Sequence, residues 1–231
     1  MRRLLFAVVI GLTPAWALGQ GVSPNLAKGS EAMLFTFDGF STLRAGDFEG
    51  GIGGKYFIGS KTALRLGLEF ARASEDVPAN PPAGVSGTDG EQSATRFGVS
   101  AALEYHFRMR RVTPYFGGGI GFANTSTKRT TAEVGSPPPA QDKTENEQNG
   151  ENINGVTFLG GNQFDIFGLA GVEFFLFNEV SLGAEYRLGF FSSSRADEKV
   201  SSGNLTTTTK VGGSTGFGIS NSGLLTLAVY F

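Results

Sequence analysis

The chain has 231 residues, with no cysteine, 35 glycines, 21 phenylalanines, 17% charged residues and a formal net charge of −2. Absence of cysteine removes disulfides, thiolate metal sites, cysteine nucleophiles and the lipidated cysteine of a lipoprotein. The near-neutral charge gives no basic field for a phosphate backbone, so nucleic acid is not an expected partner.

At the amino terminus Arg2 and Arg3 precede an apolar run from Leu4 to Leu12, then Pro14 and the small-x-small triplet Ala15-Trp16-Ala17. That order is a secretory leader, residues 1–17, with cleavage after Ala17 or, as the second choice, after Gly19. The competing reading is a membrane anchor, but the run is shorter than the ~20 residues a spanning helix needs and Pro14 interrupts it. No later stretch reaches ~18 uninterrupted apolar residues, so only a closed barrel could carry the mature chain across a membrane.

Residues 18–30 read as a short periplasmic segment, and 31–231 as the barrel. Strands are expected at 31–40 and 47–58, and then alternation becomes explicit. Leu64, Leu66, Leu68 and Phe70 oppose Arg65, Gly67 and Glu69. Phe97, Val99, Ala101, Leu103, Tyr105 and Phe107 oppose Arg96, Gly98, Ser100, Ala102, Glu104 and His106. One face is greasy over six positions, longer than a globular strand of about five or six residues allows. Val112, Pro114, Phe116, Ile120 and Phe122 oppose Thr113, Tyr115, Gly117, Gly119 and Gly121. In 163–176, Phe164, Ile166, Val172 and Phe174 face one way and Phe167, Leu169 and Phe175 the other, the least regular pattern of the set. Leu182, Ala184, Tyr186, Leu188 and Phe190 then oppose Ser181, Gly183, Glu185, Arg187 and Gly189, and 215–231 closes the series.

The fold class is therefore all-β: an up-and-down antiparallel transmembrane β-barrel of about eight strands. Connections at 59–61, 108–111 and 177–179 are tight, whereas those at 41–46, 73–92, 123–160 and 192–213 are the external ones. A soluble sandwich has no reason to sort loops by parity, but an outer-membrane barrel with both termini in the periplasm does. The segment 123–160, with Pro137, Pro138 and Pro139 and a run of polar residues, reads as a solvated, mobile loop. Tyr56, Phe57, Tyr105, Phe107, Phe190, Phe191, Tyr230 and Phe231 fall near strand ends and read as interfacial girdles.

These features resemble the small outer-membrane barrels of the OmpA and OmpX kind, and more broadly the outer-membrane β-barrel domain, over roughly residues 31–231. The likeness rests on the alternating strands, the glycine-rich Gly50-Gly51-Ile52-Gly53-Gly54-Lys55-Tyr56, and the terminal Leu225-Thr226-Leu227-Ala228-Val229-Tyr230-Phe231. The resemblance implies that Leu225, Leu227, Val229 and Phe231 form the signal read by the barrel-insertion machinery. It also implies periplasmic chaperones during biogenesis, outer-membrane lipid as surroundings, and location in the outer membrane of a Gram-negative-type envelope. The chain is expected to end at the barrel, so the peptidoglycan-tethering role of OmpA does not carry over.

Inward alternation places four bases, Lys55, Arg65, Arg96 and Arg187, against four acids, Glu69, Glu104, Glu173 and Glu185. An eight-stranded interior is just wide enough for side chains to fill, so these are expected to pair and to make a side-chain-filled, non-conducting lumen, with Gly51, Gly53, Gly117 and Gly119 giving room for long chains.

No catalytic, cofactor or metal site is expected. The single histidine, His106, lies by the 108–111 turn with no serine motif beside it, and reads as a lumen-rim residue bonded to a carboxylate or water. Gly117-x-Gly119-x-Gly121 is no phosphate loop, because no helix follows. The acids of 123–160 lack the ordered pattern of a calcium loop. The expected function is a monomeric structural or surface-interaction barrel, serving adhesion or envelope integrity, with an extracellular ligand at its loops. A narrow pore or carrier of small hydrophobic solutes is the alternative, and a lipid A-modifying enzyme a further one.

Overall fold

A computed structural model describes residues 24, 26–38, 50–107, 111–135, 137, 139–153, 156–219 and 224–231. The leader 1–17 and the connection 41–46 lie outside them. The wall is built from β1 (Glu31–Asp38), β2 (Gly50–Phe57), β3 (Thr62–Val77), β4 (Gly90–His106), β5 (Val112–Thr130), β6 (Gly161–Phe175), β7 (Val180–Arg195) and β8 (Leu224–Tyr230). A separate segment, Ser214–Ile219, continues the eighth position beside the upper half of β7. Each strand pairs antiparallel with the next, and β1 pairs with β8 from Ala32↔Tyr230 to Asp38↔Leu224, so the sheet closes on itself as an eight-stranded barrel. Closure of β1 on β8 gives each of the eight wall strands two neighbours, the condition for β-structure in lipid.

The barrel is inverted relative to a soluble protein. Leu66, Leu68, Phe97, Leu103, Phe116, Ile120, Ile166 and Leu182 are exposed on the outside, while Glu104, Glu173 and Glu185 are buried inside. Strand 161–175 alternates without a bulge, with Phe164, Ile166, Val172 and Phe174 outside and Phe167, Leu169 and Phe175 buried in the lumen. The greasy belt ends abruptly. Phe70, Phe97, Phe122, Phe164, Phe190 and Phe217 are all exposed on successive wall positions, and Phe70↔Phe97, Phe122↔Phe164 and Phe190↔Phe217 are directly opposite in register. Beyond them the outward residues turn polar: Arg72, Ser74 and Asp76 on β3, Asn124, Ser126 and Lys128 on β5. This phenylalanine ring marks one interface of a transmembrane barrel. At the other end Tyr105, Phe107 and Phe116 pack with centroids 5.4–5.6 Å apart.

Strands β3, β4, β5 and β7 run on past the ring, which corrects the reading of 73–92, 123–160 and 192–213 as loops throughout. Lys143–Glu145 pairs with both β5 and Glu198–Ser202, which pairs in turn with Leu205–Thr209, so β5 leads into a sheet above the belt. A hairpin of Glu151–Ile153 and Val156–Phe158 packs on the inner face of this extension, against β3, β4 and β5. The physical reason is that polar strands can keep their ladders in water, so the end of greasy alternation marks the end of the belt and not of the strand.

Candidate functional site

The strands project a continuous chain of opposite charges into the lumen. Arg187 Nε donates to Glu185 at 2.8 Å, and Arg65 donates to both oxygens of Glu185 at 2.7 and 3.0 Å. Arg65 Nη1 lies 2.8 Å from Glu104 Oε1, Lys55 Nζ lies 3.0 Å from Glu104 Oε2, and the same ammonium reaches Glu173 at 3.5 Å. Lys55, Glu104, Glu173 and Glu185 are all buried. Isolated ions in such a setting would cost several kcal/mol each, so mutual pairing is what allows them to remain charged.

Six of the eight sequence-derived lumen charges meet in this cluster. Arg96 and Glu69 instead form a separate pair nearer the loop end, Arg96 Nε donating to Glu69, with both side chains partly exposed.

Four further side chains join the cluster: His106, Tyr115 and Ser181, which alternation turns inward, and Tyr230, which the sequence reading had placed in a girdle. His106 is fully buried, Nε2 2.9 Å from Glu104 Oε2, with its ring stacked on Tyr115 at 5.1 Å. Tyr115 donates to Glu185 at 3.1 Å, Tyr230 donates to Glu173 at 2.7 Å, and Ser181 also donates to Glu173. Outside this cluster, nearer the loop end, Asp165 is a fifth inward carboxylate, bonded by the Gln163 amide at 2.8 Å. Its position between the outward Phe164 and Ile166 was the signal available in the sequence.

Below the cluster sits an apolar plug. Leu26, Leu34, Phe57, Phe175 and Tyr230 are buried against one another at the end where β1 begins and β8 finishes. Two girdle assignments are thereby corrected: Phe57 and Tyr230 face the lumen, because their parity opposes that of the outward Tyr56 and Phe231. Phe191 likewise lines the interior. Gly119 does make room, but for a ring: a Cβ there would lie 2.8 Å from Phe167 Cζ, and one at Gly171 would lie 2.6 Å from Tyr115 Oη. Gly117 packs against the β4 backbone instead. The terminal residues Leu225, Leu227, Val229 and Phe231 lie on the outward parity of β8, and Phe231 is 75% exposed.

Above the cluster the lumen is not filled. A chamber of about 1110 Å³ extends toward the loop end, walled by Gly51, Gly53, Gly67, Gly98, Gly121 and Gly189. This corrects the expectation of a side-chain-filled lumen over its whole length. The glycines that face inward here have no side chains with which to fill it.

A greasy exterior, a closed ring of ladders and charges sequestered inside define a transmembrane β-barrel. A model of the outer membrane protein beta-barrel domain family matches residues 7–212, and the chain belongs to that family. No curated protein matches the chain.

Proposed function

We propose that this barrel is a non-conducting, monomeric surface protein of a Gram-negative-type outer membrane, whose working part is the sheet and hairpins that rise above the phenylalanine ring. The observation that carries this reading is the stacked seal, the Arg187–Glu185–Arg65–Glu104–Lys55–Glu173 chain over the Leu26–Phe57–Phe175–Tyr230 plug. A solute entering from the loop end meets a dead end, which argues against the pore and carrier readings. What the molecule then offers its surroundings is its outer surface, suited to adhesion or to holding the envelope together.

In this reading the termini and short turns face the periplasm and the long connections face outward. Leu225, Leu227, Val229 and Phe231 engage the insertion machinery before they meet lipid, with periplasmic chaperones acting earlier. The closure of β1 on β8 supports a monomer, since a closed sheet offers no edge strand to a second copy there. His106 supports the non-enzymatic reading: it lies among Glu104, Tyr115 and Phe57, beneath the charged cluster and outside the lining of the chamber.

The test is removal of the Glu198–Thr209 hairpin in cells. We expect the barrel to insert normally while cell attachment to surfaces or to other cells is lost. Unchanged attachment together with altered solute uptake would overturn the surface role.

A further inference from the structure

The sheet above the belt ends in an open edge. Its last strand, Leu205–Thr209, pairs with Glu198–Ser202 on one side, and among the described residues no strand pairs with the other. All five of its residues are exposed, Leu205 at 70%. The strand reads Leu-Thr-Thr-Thr-Thr, uncharged, β-branched after its first residue and free of proline. Edges that stay single usually carry charge, proline or a bulge, and this one carries none of them.

The register decides which main-chain groups that edge offers. Ser202 and Leu205 flank the two-residue turn Gly203-Asn204, where Gly203 has a φ of 55°. The pair that closes such a turn is hydrogen-bonded, and along an antiparallel ladder bonded and non-bonded pairs alternate. Val200↔Thr207 and Glu198↔Thr209 are then bonded pairs, whereas Ser201↔Thr206 and Lys199↔Thr208 are not. Side chains stand closer in a non-bonded pair, and the hydroxyls of Ser201 and Thr206 meet at 3.0 Å. Thr206 and Thr208 therefore turn their N–H and C=O groups toward the open edge.

Those groups fit a second copy of the same strand. When two such edges run antiparallel about a two-fold axis at Thr207, Thr206 of each copy faces Thr208 of the other. Two hydrogen bonds form at each of these two pairs, and every free group is used. A register shifted by one residue sets free groups against bonded ones, and a shift of two carries one pair off the strand. The joint brings no like charges together, since Thr209 falls opposite Leu205 and Lys210 opposite Asn204.

We propose that the Leu205–Thr209 edge pairs with the same edge of a second copy in a facing membrane, joining two sheets into one. This rests on the reading of the sheet above the belt as the part that meets other cells. The outward parity of β5 passes in register through Lys128, Glu145 and Lys199 to Thr208, so the sheet carries the barrel wall upward. The two-fold that relates antiparallel strands is normal to their sheet. It therefore lies across the barrel axis and turns the second barrel upside down. So few hydrogen bonds make a weak joint, so the barrel stays a monomer in its own membrane and adheres where many copies face many.

The full chain contains no cysteine, so single cysteines report the register. Paired as proposed, Thr207 meets its own copy with Cα atoms about 4.5 Å apart, within disulfide range, whereas Thr206 lies beyond the ~7 Å limit from its own copy. In concentrated detergent micelles under mild oxidation, Thr207→Cys is expected to give on the order of tenfold more disulfide dimer than Thr206→Cys. Adding Thr208→Pro to Thr207→Cys removes a free N–H and leaves the ladder of the hairpin intact. It is expected to lower the dimer to the Thr206→Cys level.

Equal dimer from the two cysteines would overturn the pairing, as would Thr207→Cys dimer that survives Thr208→Pro. Should the proline variant not fold, judged by its migration on unheated gels, the two cysteines decide alone. The facing arrangement is read on cells. Two populations carry Thr207→Cys, one with a tag that adds mass, and are mixed before oxidation. Dimers of mixed mass are expected, and dimers formed only within each population would overturn the facing arrangement. The micelle result does not depend on the surface role: if dimers fail there while removal of the hairpin still abolishes attachment, the pairing falls and the surface role stands.

Discussion

Arg65 and Glu104 stand on neighbouring strands without being directly opposite, Arg65 facing Ala102 and Glu104 facing Ala63, yet Nη1 of the first lies 2.8 Å from Oε1 of the second. The contact is a diagonal one across the ladder, which long side chains can span. It places Glu104 between two cations, since Lys55 approaches from β2.

Removing either partner of this pair should cost more than the pair itself contributes. Arg65→Ala or Glu104→Ala alone is expected to destabilise the barrel by about 3–5 kcal/mol, because each leaves buried charge without its counterion. The double variant should cost less than the two singles added. Urea unfolding in lipid vesicles around a double-mutant cycle measures this, and strictly additive costs would mean that the groups are independently hydrated.

Two inward glycines of β5 should behave differently. At Gly119 a Cβ would collide first with the Ala101 carbonyl oxygen and then with the Phe167 ring and the Ala102 side chain, both at 2.8 Å, whereas at Gly121 the nearest atom, Asp165 Oδ2, is 3.4 Å away. Gly119→Ala is therefore expected to cost ~1–3 kcal/mol as overpacking, and Gly121→Ala to fall within ~0.5 kcal/mol of the parent. Equal effects in the same unfolding assay would show that the strand and ring around Gly119 leave room for a side chain.

The last two residues separate stability from biogenesis. Tyr230→Phe removes a buried donor to Glu173 and should cost ~1–3 kcal/mol in the inserted protein. Deleting Phe231, which is exposed, should leave that stability unchanged while slowing insertion into membranes that contain the insertion machinery. If the truncated chain inserts at the normal rate and yield, the terminal residue is not part of the signal.

Glu151 gives the strand pair Glu151–Ile153 and Val156–Phe158 a pH dependence. Its carboxyl is raised in the folded state, so the pair has its full stability below the ordinary carboxylate value. That stability declines as the pH climbs through the folded value of about 7, and it falls no further above it. Amide exchange of residues 151–153 and 156–158, corrected for intrinsic rates, should show protection falling over this window. Glu151→Gln should abolish the fall.

Membrane orientation is checked by cysteines at Thr207 and Asn178. The first should react with an impermeant reagent on intact cells and the second should not. The opposite pattern would mean that the long connections face the periplasm.

Much of this architecture was legible in the sequence because the side-chain period of a strand is two. Once Leu64, Leu66, Leu68 and Phe70 are assigned to lipid, Arg65 and Glu69 have nowhere to point but inward. The same rule reaches Glu104, Glu173, Glu185 and Arg187, and it also reaches Asp165, Tyr115 and Tyr230. Tyr230 was misassigned because a terminal aromatic suits a girdle as well as a plug, and parity decides between them only when Phe231 is taken as the outward residue.

Which charges meet was not legible. Alternation gives the face but not the height, and it is the stagger between strands that separates Arg96 and Glu69 from the other six. The sheet above the belt was hidden for a different reason. Its strands are polar on both faces, as at Leu205–Thr209, and in such a segment period two leaves no hydrophobic mark. The chamber was hidden as well, since a run of inward glycines signals space without saying what occupies it.

The most direct test of the account is planar-bilayer recording of the purified full chain, because the central claim is that the lumen ends in a sealed floor. The Lys55–Glu104–Arg65 cluster over the Phe57–Phe175–Tyr230 plug predicts no steady conductance at neutral pH. A steady, large, single-channel conductance from the unmodified protein would contradict it.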